Sequence, residues 1–145
     1  MEASSPARLY ATLVGAVLVV AGIIGFFYEA SFATGNEIVA DDVFGLLAVN
    51  GWHNVVHILL GLIGLAAAGS TYGARMYCIV AGVLYLVLAA WGFLEAENGF
   101  GVLLDIVPIN TEDNFLHLIL GIVGIGAGLA TPADTPDRSR PAPAA

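Results

Sequence analysis

The sequence contains no lysine and only four arginines, set against twelve acidic residues. A net charge of −8 carried by so few cations disfavours nucleic acid as a partner and leaves cations as the only charged species it would attract. Cys78 is the single cysteine, so no disulfide framework exists, and its place inside an apolar run makes it a small core residue. Charged residues of both signs amount to 11% of the chain, under half the share of about 25% in an ordinary soluble domain. What is present instead is apolar: 59% hydrophobic residues and a mean hydropathy of +0.88. Water is not the main solvent of such a chain.

Four apolar runs stand out, residues 9–28, 52–69, 76–94 and 113–130. Each is close to the ~20 residues that cross ~30 Å of hydrocarbon at ~1.5 Å per residue. The arginines orient them. Arg8 precedes the first run, Arg75 lies between the second and third, and Arg138 and Arg140 follow the fourth, so all fall on one side. By the positive-inside rule both termini are cytoplasmic, in the inner membrane of a bacterial cell, and the two longer connections face outward. Those connections and their flanking turns carry Glu29, Glu37, Asp41, Asp42, Glu95, Glu97, Asp105, Glu112 and Asp113, an acidic outer cap. Each holds a Phe-Gly-aliphatic element, Phe44-Gly45-Leu46 and Phe100-Gly101-Val102, which reads as an interfacial half-turn lying on the bilayer. Residues 131–145 form a Pro- and Ala-rich stretch with nothing to bury, for which a disordered cytoplasmic tail is expected.

The chain repeats itself. Asn50, Asn54, His57, Gly61 and Gly64 recur as Asn110, Asn114, His117, Gly121 and Gly124, while Arg8, Tyr10, Gly15, Gly25 and Phe26 recur as Arg75, Tyr77, Gly82, Gly92 and Phe93. The first run therefore has an internal copy, which argues against its being a cleaved signal peptide. Each unit has two spans, so both copies share one orientation. The expected architecture is an all-α integral membrane four-helix bundle, a tandem repeat of two helical hairpins about a pseudo-two-fold axis along the membrane normal. Glycines and alanines at spacings of three and four, such as Ala11 with Gly15 and Gly121 with Gly124, give seams on which helices approach closely.

In the second and fourth runs one helical face carries first the polar residues and then the glycines. Asn50 and Asn110 sit where N-caps belong, and Asn110-x-x-Asp113 is a relative of the capping box, with Pro108 just upstream. Asn54 and Asn114 extend the same stripe. His53 and His57, one turn apart, face Asp113 and His117 at matching positions. Three imidazoles and one carboxylate suit zinc or a divalent iron or manganese ion. The bland alternative is that the histidines only bond across helices, since polar groups in lipid need partners in any case.

The segments from Val49 to Gly61 and from Ile106 to Leu118 resemble the paired motifs of a family of small bacterial four-span membrane proteins catalogued as a domain of unknown function, family 4383. The resemblance covers residues 8–130 and implies a fold but no activity.

Several functions stay open. The leading one is a structural or accessory membrane subunit with a His/Asp/Asn cluster at the outer leaflet, whose partners are the lipid bilayer and a membrane protein or a second copy. A divalent-metal protein with His53, His57, Asp113 and His117 as ligands is the alternative. Haem or quinone held by His57 and His117 ranks lower, because the glycines argue for close helices whereas haem needs ~10 Å between them. A small proton or cation transporter is a further class, with Glu29 and Glu95 as vestibule acids, but the inner halves of the spans offer no polar path. No nucleophile beside a base is recognisable, so no enzyme is expected.

This topology is checked with reporters: one fused after Ala145 and one inserted between Gly69 and Gly73 should both be cytoplasmic, and one near Gly35 external. An external C-terminal reporter would refute four spans.

Overall fold

A computed structural model describes residues 5–133 of the chain. The expected tail lies, from residue 134 onward, outside the described residues, as do Arg138 and Arg140. Four helices make up most of the rest: α1 (Pro6–Gly25), α2 (Gly51–Ala67), α3 (Thr71–Glu95) and α4 (Thr111–Ala130). Each begins on a side chain that accepts a hydrogen bond from an otherwise orphaned amide. Ser5 accepts from Arg8 N, with Pro6 opening α1, Asn50 from His53 N, Ser70 from Gly73 N and Asn110 from Asp113 N.

Three of these helices, α1, α3 and α4, are long and apolar enough to cross a membrane, among the described residues. Helix α2 has 17 residues and is also apolar, but spans only about 25 Å at ~1.5 Å per residue.

The outer connections depart from the all-helical expectation. In place of interfacial half-turns they fold into two antiparallel hairpins, β1 (Asp41–Val43) with β2 (Leu47–Val49), and β3 (Phe100–Leu103) with β4 (Val107–Asn110). The physical reason lies in the turns. Phe44 and Gly45 in the first, and Leu104 and Asp105 in the second, all have positive φ, as tight hairpin reversals require. Three of these four are not glycine, and the strands are too short to show alternation, so no local signal announces them. The strands are held instead by contacts between the hairpins, where β2 lies against β4.

Burial in the bundle is the reverse of that in a soluble domain. The interior between helices is made of Ala7, Ala11, Ala74, Cys78, Ala81 and Ala89 with glycines, a few polar groups and the larger Leu18, Tyr10, Tyr77 and Tyr85, while Leu13, Val17, Leu59, Leu62, Val80, Val87, Ile119 and Ile122 point outward. Helix α1 packs mainly on α2, and α3 on α4. Small residues make this possible: a Cβ placed on Gly61 would lie 2.6 Å from Gly15 O, and one on Gly82 3.0 Å from Gly121 O. At the end away from the hairpins, Arg8 Nε donates to Ala68 O at the end of α2 (2.9 Å), a cation on the negative end of a helix.

Gly61→Ala should therefore destabilise the bundle by about 1–3 kcal/mol, because the new methyl meets backbone and the helices must separate. Gly126→Ala is the control, since a Cβ there meets nothing within 4 Å. The comparison is a thermal melt of both variants in detergent. Equal melting would mean that α1 and α2 do not touch at this seam.

Candidate polar and metal site

The polar stripes of α2 and α4 converge beneath the hairpins. Asn50 and Asn110 each do two things there. While Oδ1 caps its own helix, Asn50 Nδ2 donates to Ile106 O in the turn of the second hairpin (2.8 Å), and Asn110 Nδ2 donates to Leu46 O in the turn of the first (2.7 Å). Each helix start is thus tied to the opposite hairpin. Both asparagines are buried, so the bonds give their side-chain amides the partners that burial requires.

Asp113 completes the capping box of α4: its Oδ2 accepts from Asn110 N (3.1 Å) and from Ala48 N in β2 (3.0 Å). The carboxyl is 2% exposed, and two backbone amides converge on one of its oxygens. Across the repeat, Ala48 corresponds to Pro108, which has no N–H to offer, and Asp113 corresponds to His53. A carboxylate stands where there is an amide to accept from, and an imidazole where there is none.

His53 turns toward its own hairpin. Its Nδ1 lies 2.8 Å from Ala48 O, and since a carbonyl only accepts, Nδ1 carries the proton and Nε2 keeps its lone pair. The His53 and His57 rings are 4.4 Å apart at 61°, and His53 and His117 6.5 Å apart at 47°. His53, His57 and His117 bring one ligand atom each to within 4.8 Å of one another. Tetrahedral zinc with bonds of about 2.0–2.1 Å needs nitrogens about 3.3 Å apart, so modest ring movement would close the set on an ion. Of the four candidate ligands the structure gathers the three histidines. Asp113 sits at the edge of the same space, with Oδ2 engaged by the two amides.

Asn54 and Asn114 lie one turn into their helices and are fully buried. Asn54 Nδ2 donates to Glu29 O (2.8 Å), and the Asn54 and Asn114 amides press on Gly25 and Gly92, where any Cβ would overlap them. Glu29 thus takes part through its backbone.

Tyr85 is not singled out by the sequence, and Tyr10 and Tyr77 stand out there only as copies of each other, without a role. Tyr85 stacks on His117, with centroids 5.3 Å apart at 26°, and is 1% exposed. The available signal was a departure from the repeat, since the first copy has Leu18 at that position. Tyr10 OH donates to Leu120 O (2.8 Å) and Tyr77 OH to Leu60 O (3.2 Å), tying α1 to α4 and α3 to α2 at equivalent places.

Fold and site together define a small, mainly helical protein with helices of membrane-crossing length and a buried histidine cluster under two hairpins. The family model described as Domain of unknown function (DUF4383) matches residues 8–130, and the chain belongs to that family. No curated protein and no solved structure matches it.

The two-sided role of the asparagines is separable. Asn110→Ala should cost about 2–3 kcal/mol, and Asn110→Ser, which keeps the cap and loses the bridge to Leu46, roughly half of that. Denaturation in mild detergent measures both. If serine restored full stability, the bridge between helix and hairpin would carry no weight.

Proposed function

We propose that the chain is a four-span integral protein of the bacterial cell membrane with both termini cytoplasmic, and that its outer end holds a divalent metal ion on His53, His57 and His117. The observation that carries the metal reading is the convergence of three imidazoles from two helices. Three neutral nitrogens suit zinc or divalent iron or manganese, and three protein ligands leave a fourth position open. Asp113 and the asparagines then form the frame that aims the rings.

For the span of α2, the support is its outward face, where Val56, Leu59, Leu62 and Ile63 are all exposed as lipid-facing residues would be. Its polar first turn, inside the hairpin cap, supplies the remaining depth. The tandem repeat about a pseudo-two-fold axis is supported by bonds that come in pairs, Asn50 to Ile106 with Asn110 to Leu46, and Tyr10 to Leu120 with Tyr77 to Leu60.

A structural or accessory subunit is the second reading. It is favoured by how many polar groups are spent on joining hairpins to helices. Transport is not favoured, because the core of the opposite half is Ala7, Ala11, Ala74 and Cys78 with Tyr10 and Tyr77, whose hydroxyls are spent on Leu120 O and Leu60 O. A haem is not favoured either, since the space beside the histidines is about 230 Å³ and the helices meet at their glycines.

Protein purified without chelator should carry close to one equivalent of metal by elemental analysis, and His57→Ala or His117→Ala should abolish it. Chelation should lower the melting temperature, because an ion at a hundredfold excess over its Kd contributes about 3 kcal/mol. Acidification from about pH 8 to about pH 5 should do the same, since protonated imidazoles release metal and the increment is lost as pH falls. If the histidines only bond across helices, chelator does nothing and His57→Gln keeps most of the stability. Substoichiometric metal with identical melts with and without chelator would remove the ion and leave the accessory bundle.

A further inference from the structure

A cavity of about 230 Å³ opens between α1 and α4 beside the histidines. Its mouth is formed by Leu13 and Val17 of α1, 57% and 65% exposed on the outward face, and its inner wall by Tyr85, His117 and His57. Two residues of that wall carry a buried polar atom that lacks a partner among the described residues: Tyr85 its hydroxyl and His117 its Nδ1, on side chains 1% and 6% exposed. In apolar surroundings an unpaired hydroxyl is costly, and a ligand oxygen would satisfy it.

We propose that this cavity takes a membrane-soluble molecule with a neutral, planar, carbonyl-bearing head and an apolar tail, the chemistry of an isoprenoid quinone, whose carbonyl accepts from the Tyr85 hydroxyl. Four observations support it. The opening faces sideways into what the membrane reading above makes lipid, so the ligand arrives from the bilayer and leaves its tail there. The volume is below the roughly 300 Å³ at which pockets for whole drug-sized ligands begin, so only a head is enclosed. Tyr85 and His117, stacked 5.3 Å apart at 26°, both line the cavity and make its inner wall aromatic, which suits a planar head. Charge excludes an anion: Arg8 lies at the opposite end of the bundle, no arginine lines the cavity, and the carboxyl of Asp113 does.

The repeat points the same way. At the buried polar positions of the helices above, the two copies agree at Asn50, Asn54, His57 and Tyr10 and differ where His53 matches Asp113 and Tyr85 matches Leu18. Both differences adjoin this cavity, so the site is one-sided. The inference rests on the membrane and repeat readings but not on the metal.

The test uses full-length protein in lipid nanodiscs, titrated with decylubiquinone, decanol and decanoic acid and followed by thermal shift and equilibrium binding. Decylubiquinone should bind saturably, and the other two, with the same tail but no planar carbonyl head, about tenfold more weakly or less. Tyr85→Phe should weaken the quinone about fivefold or more without lowering the melt of the unliganded protein, since the hydroxyl it removes has no partner there. Val17→Trp, on the outward face, should block the mouth and abolish binding while the fold persists. Binding should survive chelation, which separates this inference from the metal reading. Equal binding of decanol or decanoic acid, wild-type binding by both variants, or no saturable binding would overturn the proposal. Binding that vanished with chelator would move the head onto the ion and overturn the assignment to Tyr85.

Discussion

The structure depends on the double use of a buried asparagine at each of two helix starts. Asn50 and Asn110 cap α2 and α4 through Oδ1 and hold the opposite hairpin through Nδ2. An amide suits this because it is donor and acceptor at once. Without the bridges, hairpins of three or four residues per strand would be marginal, since an isolated two-stranded ribbon scarcely holds in water. With them, the hairpins become a lid that fixes the first turns of α2 and α4 and sets His53 and His57 against His117.

The bundle beneath is held differently. Its large apolar side chains face out and its small residues face in, so closeness of backbones does what interior bulk does in a soluble core. Tyrosine hydroxyls add cross-helix bonds to backbone carbonyls at Leu60 and Leu120. The two modes divide the molecule into a polar, hydrogen-bonded end and an end of small apolar residues. The proposed chemistry belongs to the first, because only there do groups able to bind an ion or an oxygen meet.

Within that end, the departures from symmetry carry the most information. Where Ala48 offers an amide, Asp113 accepts it; where Pro108 offers none, His53 stands instead and bonds Ala48 O. Where the first copy packs Leu18 into the core, the second has Tyr85 against His117. In the reading proposed above, the ligands occupy the face where the two halves of the sequence differ.

The helices and the starts of α2 and α4 were legible in the sequence because they rest on local signals: apolar runs of membrane length, and Asn50 and Asn110 where helix caps belong. The hairpins were not legible. Phe44, Leu104 and Asp105 adopt positive φ without the usual Asn-Gly signal, and their strands are held by side chains distant in sequence. Nor could spacing along α4 reveal that Oδ2 of Asp113 is taken by Ala48 N, since that amide lies sixty-five residues away. The sequence by itself determined the apolar helices, their caps and the doubled motif, which are properties of neighbours along the chain. Only the tertiary structure decided that the three histidines meet, that Tyr85 stacks on one of them and that a cavity opens beside α1, because those depend on how two helical pairs pack through their glycines.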